Sequence, residues 1–157
     1  MSLRFQLTYG NLKSWATRLE ARLGVPCRYS DEVQQLAVRA WVMDTAVALV
    51  LIPRPERGML TLAVTLPFAV PSERHAAISE SLTILNARSF MGAWILNTEK
   101  AEIYFRITVP AKDLEYSDET LHFVASLVES SAEAMAKPLY AVAHQGATPE
   151  LIAQAEA

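Results

Sequence analysis

The segment WILNTEKAEIYFRITV, from Trp94 to Val109, constrains the fold more than any other part of the sequence. Two runs of alternating apolar character flank a polar NTEK, which reads as a β-hairpin because successive strand side chains point to opposite sides. With the turn at Asn97–Lys100, Trp94 faces Ile103, Leu96 faces Ala101 and Gly92 faces Phe105, and Phe90 meets Ile107 if the strand extends that far. An odd loop would slip the register by one and set Trp94 against a polar residue. Gly92 leaves room for the Phe105 ring. One side of this hairpin is a core face. The other carries Ala93, Ile95 and Asn97 with Glu102, Tyr104, Arg106 and Thr108, a mixture that suits neither a dry core nor a charged solvent face.

The run about Thr45–Ile52 sharpens the point. Ala46, Ala48, Val50 and Ile52 are apolar on one side, and Val47, Leu49 and Leu51 on the other. A strand apolar on both sides calls for cover on both. Helical spacing after Ser117 or Asp118 gives a core stripe of Leu121, Val124, Val128, Ala132 and Met135. A second, offset stripe holds Phe123, Leu127 and Ala134. Either this helix is sunk deep in its own domain, or the surplus marks a homodimer or a peptide groove.

The remaining elements follow from caps and breakers. Helix about Asn11–Leu23 has Asn11 as N-cap, Gly24 as its C′ residue and Pro26 beyond, with Leu12, Trp15, Leu19 and Leu23 on one stripe. Strands are expected at about Gln34–Val42, Thr45–Ile52 and Met59–Leu66, the last two joined by PRPERG. A helix starts near Ser72 after Pro71 and buries Ile78, Leu82 and Leu85. The helix from Ser117 or Asp118 ends where Pro138 interrupts it, and Thr148 with Pro149 opens a short last helix. The expected fold is α+β: a five-stranded, mainly antiparallel sheet with helices packed on one face, in the order α-β-β-β-α-β-β-α plus a short C-terminal helix. At 157 residues it reads as a single domain over 1–157.

Chemistry is hard to find. The glycines are too dispersed for a phosphate loop, and there is no HExxH. The histidines His75, His122 and His144 share no metal-ligand spacing beyond Asp118 and His122, and His75 reads as a first-turn surface residue. Cys27 is the only cysteine, which excludes an internal disulfide and reads as a passive thiol in a reducing, cytoplasmic setting. Ser79, Ser81, Ser130 and Ser131 read as solvent-facing helix positions. The acidic run KDLEYSDET lacks the glycine of a calcium loop, and Asp118 and Glu119 suit a helix N-terminus. Arg54 and Arg57 flank prolines, where they keep a sheet corner solvated or grip an acidic partner. A net charge of −3 gives no footprint for nucleic acid, and the start of the chain has no secretory h-region. The longest apolar run, Ala46–Ile52, is too short to span a membrane. No catalytic residue, cofactor site or metal site is expected.

From Leu66 to Glu156 the sequence resembles the YbjN-domain family, described as bacterial sensory-transduction regulators and similar in fold to type III secretion chaperones. The residues that carry it are Pro71 opening a helix that ends at Asn86, Gly92 in the hairpin, the Asp118–Glu119 helix start, and Gly146 with Pro149–Glu150. All are caps, turns and core. The resemblance implies a non-enzymatic protein-binding module, chaperone-like or regulatory, acting as a homodimer on a partner protein segment without nucleotide or membrane. Ile95, Tyr104, Arg106, Phe123 and Leu127 are the expected contact residues. The alternative is a small-molecule-sensing regulator with a pocket between sheet and helices.

Overall fold

The computed structural model describes residues 9–23, 26–111 and 116–155. Helix α1 (Tyr9–Leu23) leads into strands β1 (Arg28–Ser30), β2 (Gln35–Val42), β3 (Thr45–Arg54) and β4 (Met59–Ala69). A 3-10 turn at Ser72–Arg74 opens α2 (His75–Arg88), followed by β5 (Ala93–Asn97), β6 (Glu102–Pro110), α3 (Asp118–His144) and α4 (Glu150–Gln154). The strands form one sheet in the order β1-β2-β3-β4-β6-β5, antiparallel throughout. The expected α+β architecture is present with six strands instead of five. The additional strand, β1, is a three-residue edge strand, too short to show any period in the sequence.

Alternation sorts the sheet into two unlike faces. Leu36, Val38, Ala40 and Val42 of β2, Leu49 and Leu51 of β3, and Leu60, Leu62 and Val64 of β4 point inward and are buried. Ile103, Phe105 and Ile107 of β6 and Trp94 of β5 continue that layer. Above it lie α1 through Leu12 and Trp15, α2 through Ile78, Leu82 and Leu85, and α3 through the predicted stripe Leu121, Val124, Val128, Ala132 and Met135, all buried. The Gly24 cap predicted for α1 falls outside the described residues.

Helix α3 does not stop at Pro138; it continues to His144. Proline inside a helix removes one hydrogen bond and costs about 3 kcal/mol. Burial on both sides offsets this: Met135 and Ala136 before the proline, Leu139, Val142 and Ala143 after it. Polar anchors hold the last turns as well. Arg74 donates to the carbonyls of Val142 (2.7 Å) and Ala147 (2.6 Å), and a His144 ring nitrogen lies 2.7 Å from the Ala69 carbonyl. At the other end Ser117 caps α3 by accepting from the Thr120 amide, and Asp118 holds Arg18 of α1 through two hydrogen bonds, at 2.9 and 3.1 Å.

The hairpin keeps the predicted faces but slides by two residues. Trp94 pairs with Phe105, Ile95 with Tyr104, Leu96 with Ile103 and Asn97 with Glu102. Asn97 belongs to the ladder while its side chain closes the turn, accepting from the Glu99 and Lys100 amides, and Ala101 takes a left-handed φ of 55°. The turn therefore starts one residue later than predicted, and an even loop preserves the parity. Phe90 does not reach Ile107; it lies outside β5 and is wholly exposed. The β2–β3 connection is a two-residue turn with Met43 (φ 52°) and Asp44 (φ 58°) both left-handed, as the tight primed turns require.

Both edges of the sheet meet side chains from the helix layer. On β5, Asn86 at the end of α2 donates to the Trp94 carbonyl (2.9 Å) and accepts from its amide (2.7 Å). On β2, beyond the reach of β1, Glu129 and Glu133 of α3 accept from the Trp41 and Met43 amides at 3.0 and 2.7 Å. Each carboxamide or carboxylate satisfies backbone that would otherwise invite another strand.

Gly92 has a φ of +87°, and a Cβ there would lie 2.6 Å from the Arg106 carbonyl oxygen, 2.6 Å from the Phe105 ring and 2.9 Å from Ile107. Gly146 (φ +72°) has nothing within 4 Å of such an atom. Gly92→Ala should therefore cost about 3 kcal/mol or more in urea unfolding, and Gly146→Ala only about 1 kcal/mol, the left-handed penalty alone.

Candidate partner-binding surfaces

Strand parity leaves the second face of the sheet uncovered by any described element. Ile95 and Tyr104 stand side by side on β5 and β6. Arg106 lies between Ala93 and Ala63, small neighbours that leave its aliphatic stem room to lie down. Thr61 and Thr108 make a cross-strand hydroxyl contact of 3.1 Å. Toward β2, Trp41 is 53% exposed and pairs with Ala46, while Arg39 pairs with Ala48 and Ala37 with Val50. The even-numbered side of β3, apolar in the sequence, is thus only partly covered: Ala46 and Ala48 are exposed, Val50 and Ile52 half-buried.

A hollow of about 680 Å3 opens on this face, with Ile52 and Ala63 in its lining. Arg54, Arg57, Arg106 and Glu56 supply its charged groups. The sequence singled out Arg54 and Arg57 as a corner and Arg106 as a hairpin residue; only the sheet order brings the three together. A smaller hollow of about 340 Å3 lies at the other end of the face, beside Arg28 and Arg39.

Of the five expected contact residues, Ile95, Tyr104 and Arg106 share the open face. Phe123 and Leu127 lie on α3 in the helix layer, on the other side of the sheet. Phe123 is 61% exposed and Leu127 half-buried. Leu127 lines a cleft of about 310 Å3 between α2, α3 and the β5–β6 hairpin, whose apolar walls include Leu85, Trp94, Phe105 and Met135. Phe90 and the partly exposed Met91 form its rim. Sequence reading missed these two because it had placed Phe90 in a strand. The exposed FM pair just before a strained glycine is the signal that could have found them. Trp94 and Phe105 stack with ring centroids 4.9 Å apart, and Val128 is fully buried, so the cleft lies beside a solid core and not within it.

Groups able to do acid–base or nucleophilic chemistry do not converge. Among the described residues no three His, Cys, Asp or Glu side chains come together as a metal site. Ser81 is fully buried, contrary to its expected solvent-facing place, with its hydroxyl donating to the Ala77 carbonyl one turn back. His75 is half-buried beside the Val70 carbonyl, and not a simple surface residue. Burial pushes the Cys27 thiol up, helped by the charge of Glu20, and burial raises Tyr116, whose hydroxyl donates to the Pro110 carbonyl. Arg18 is raised by its hydrogen bonds to Asp118, and Glu150 is lowered by one from Thr148. Arg18 lies in α1 and Glu150 in α4, Cys27 and Tyr116 in connecting segments, and none lines the hollows or the cleft.

No protein-family model matches the chain, and no curated protein matches it. The fold is found in solved structures. It is similar to YbjN from E. coli, a candidate transcription regulator, with a TM-score of 0.64 at 15% identity over 91% of this chain and 96% of that one. It is equally similar, with a TM-score of 0.64 at 18% identity, to a chain of the ExsC–ExsE complex, over 88% of this chain and 97% of that one. The YbjN-like fold expected from the sequence is therefore the fold observed. Among the described residues no helix is long and apolar enough to cross a membrane.

A raised thiol pKa leaves less thiolate near neutrality than a free cysteine carries, and the Cys27 sulfur also donates to the Ala16 carbonyl at 3.4 Å. Cys27 should react with iodoacetamide at pH 7.5 more slowly than free cysteine, and approach it only at higher pH. Mass spectrometry over time reads both rates.

Proposed function

We propose that this chain is a cytoplasmic, non-enzymatic binding module of one domain, chaperone-like or regulatory, that acts as a homodimer and holds a segment of a partner protein. The observation that carries this reading is the sheet face left open opposite the helix layer, where Ile95 and Tyr104 stand beside Arg106 on a floor of alanine, valine and isoleucine. The likeness to a protein captured with a partner, in the ExsC–ExsE complex, supports binding as the activity. Dispersed ionisable groups argue against catalysis, which needs them matched in one place.

For the homodimer, the supporting feature is the apolar rim of Phe90 and Met91 together with Phe123 and Leu127, one turn apart on α3. A projecting phenyl group next to an apolar cleft on one patch suits a two-fold interface, where each copy offers the same knob and the same hole. A small-molecule sensor is the rival, since the cleft lies between sheet and helices as such a site would. Two of its polar side chains are engaged within the fold, Arg88 donating to the Ala153 carbonyl at 2.6 Å and Ser89 to the carbonyls of Met91 and Gly92, which leaves Ser131 as its one uncommitted polar side chain. A metabolite site needs polar groups free to orient its ligand, so the cleft better suits an apolar side chain from a protein.

Phe123→Glu combined with Leu127→Glu should shift the protein toward monomer in light scattering at micromolar concentration. An unchanged mass with an unchanged unfolding temperature would remove both residues from any interface.

A further inference from the structure

The described arginines fall into two populations. In the helix layer they are engaged: Arg18 with Asp118, Arg74 with the carbonyls that end α3, Arg88 with those that end α4. On the open sheet face the guanidinium groups of Arg28, Arg39, Arg54 and Arg106 have no hydrogen bond or ion pair to any described residue. Against them stand the carboxylates of Glu102, opposite Asn97, and of Glu56 in the turn beside the hollow, where Arg57 adds a further cation. A chain of net charge −3 thus turns a cationic face to solvent. Guanidinium groups stay charged at any physiological pH and pair with carboxylates two bonds at a time. Between them the floor is alkyl: Ala37, Ala48, Val50, Ile52 and Ala63.

We propose that this face binds an extended protein segment in which acidic residues alternate with small aliphatic ones. The inference rests on the protein-binding role proposed above and assigns its surface and the partner's chemistry. Carboxylates would meet the arginines, and aliphatic side chains would cover the alanine and valine floor. Six strands about 4.8 Å apart span roughly 24 Å, which an extended segment crosses in about seven residues. Nucleic acid suits the face less well, because single strands need successive aromatic rings to stack on, and here Trp41 and Tyr104 stand on β2 and β6, separated by two strands, with alkyl side chains between them.

Selection of a displayed library of random segments of about twelve residues on the full chain tests the proposal. Enriched sequences should interleave Asp or Glu with Val, Ile or Ala. A fluorescein-labelled peptide of the leading sequence should lose at least about tenfold in affinity, by anisotropy, on Arg39→Glu with Arg106→Glu, and several-fold when salt rises from about 50 to 300 mM. Arg39→Lys with Arg106→Lys should lose less than the Glu pair, because the charge is kept while the paired hydrogen bonds are not. Both positions are exposed, so an unchanged circular dichroism spectrum and unfolding temperature separate lost contact from lost fold. Enrichment of basic or uncharged segments, or binding indifferent to the Glu substitutions, overturns the acidic-segment inference and leaves a protein-binding role standing. Failure to enrich any segment removes that role too. If random DNA or RNA oligonucleotides bind and the same substitutions abolish it, the face takes phosphates and the proposal falls.

Discussion

One-sided cover governs this molecule. Every strand pairing is antiparallel, so no crossover carries a helix to the far side of the sheet, and α1, α2 and α3 all pack on the same face. Helix α3, with 27 residues and about 1.5 Å of rise per residue, is about 40 Å long and touches β2, β3, β4 and β6. All the described long helices are thereby committed to that one face. The far face must live in water while remaining a good sheet surface. It does so with alanine, threonine, valine and arginine over most of its width, and the larger Trp41, Ile52, Ile95 and Tyr104 are spread over four strands.

A broad sheet also has two ends, and here the helix layer deals with both. Asn86 answers the backbone of β5, and Glu129 and Glu133 answer that of β2. The same helices that form the core therefore restrict lateral strand pairing. What is left for a visitor is the face of the sheet and the apolar notch between α2 and α3, and these are the two surfaces to which the expected contact residues divide.

The periodic features were legible from the residues alone. Alternation of two identified the faces of β3 and β6, and helical spacing found the buried stripe of α3, because each is set by local geometry and burial together. Features set by a single residue or by distant packing were not. The three residues of β1 carry no period, Asn97 serves strand and turn at once, and Pro138 is tolerated only because Leu139 and Val142 are buried beyond it. Convergence of Arg54, Arg57 and Arg106 depends on β4 pairing with β6 instead of with β5, a choice of strand order invisible in any one segment.

Pro138 has a consequence of another kind. Having no amide hydrogen, it cannot serve the carbonyl of Ala134 one turn earlier, and Ala134 is exposed and lines the cleft beside Leu127 and Met135. The proline ring crowds that carbonyl, so the ladder of α3 lacks one rung where the helix flanks the cleft. Past that rung the helix is held by the burial of Leu139 and Val142 more than by its backbone, so one wall of the cleft is fixed from within the core.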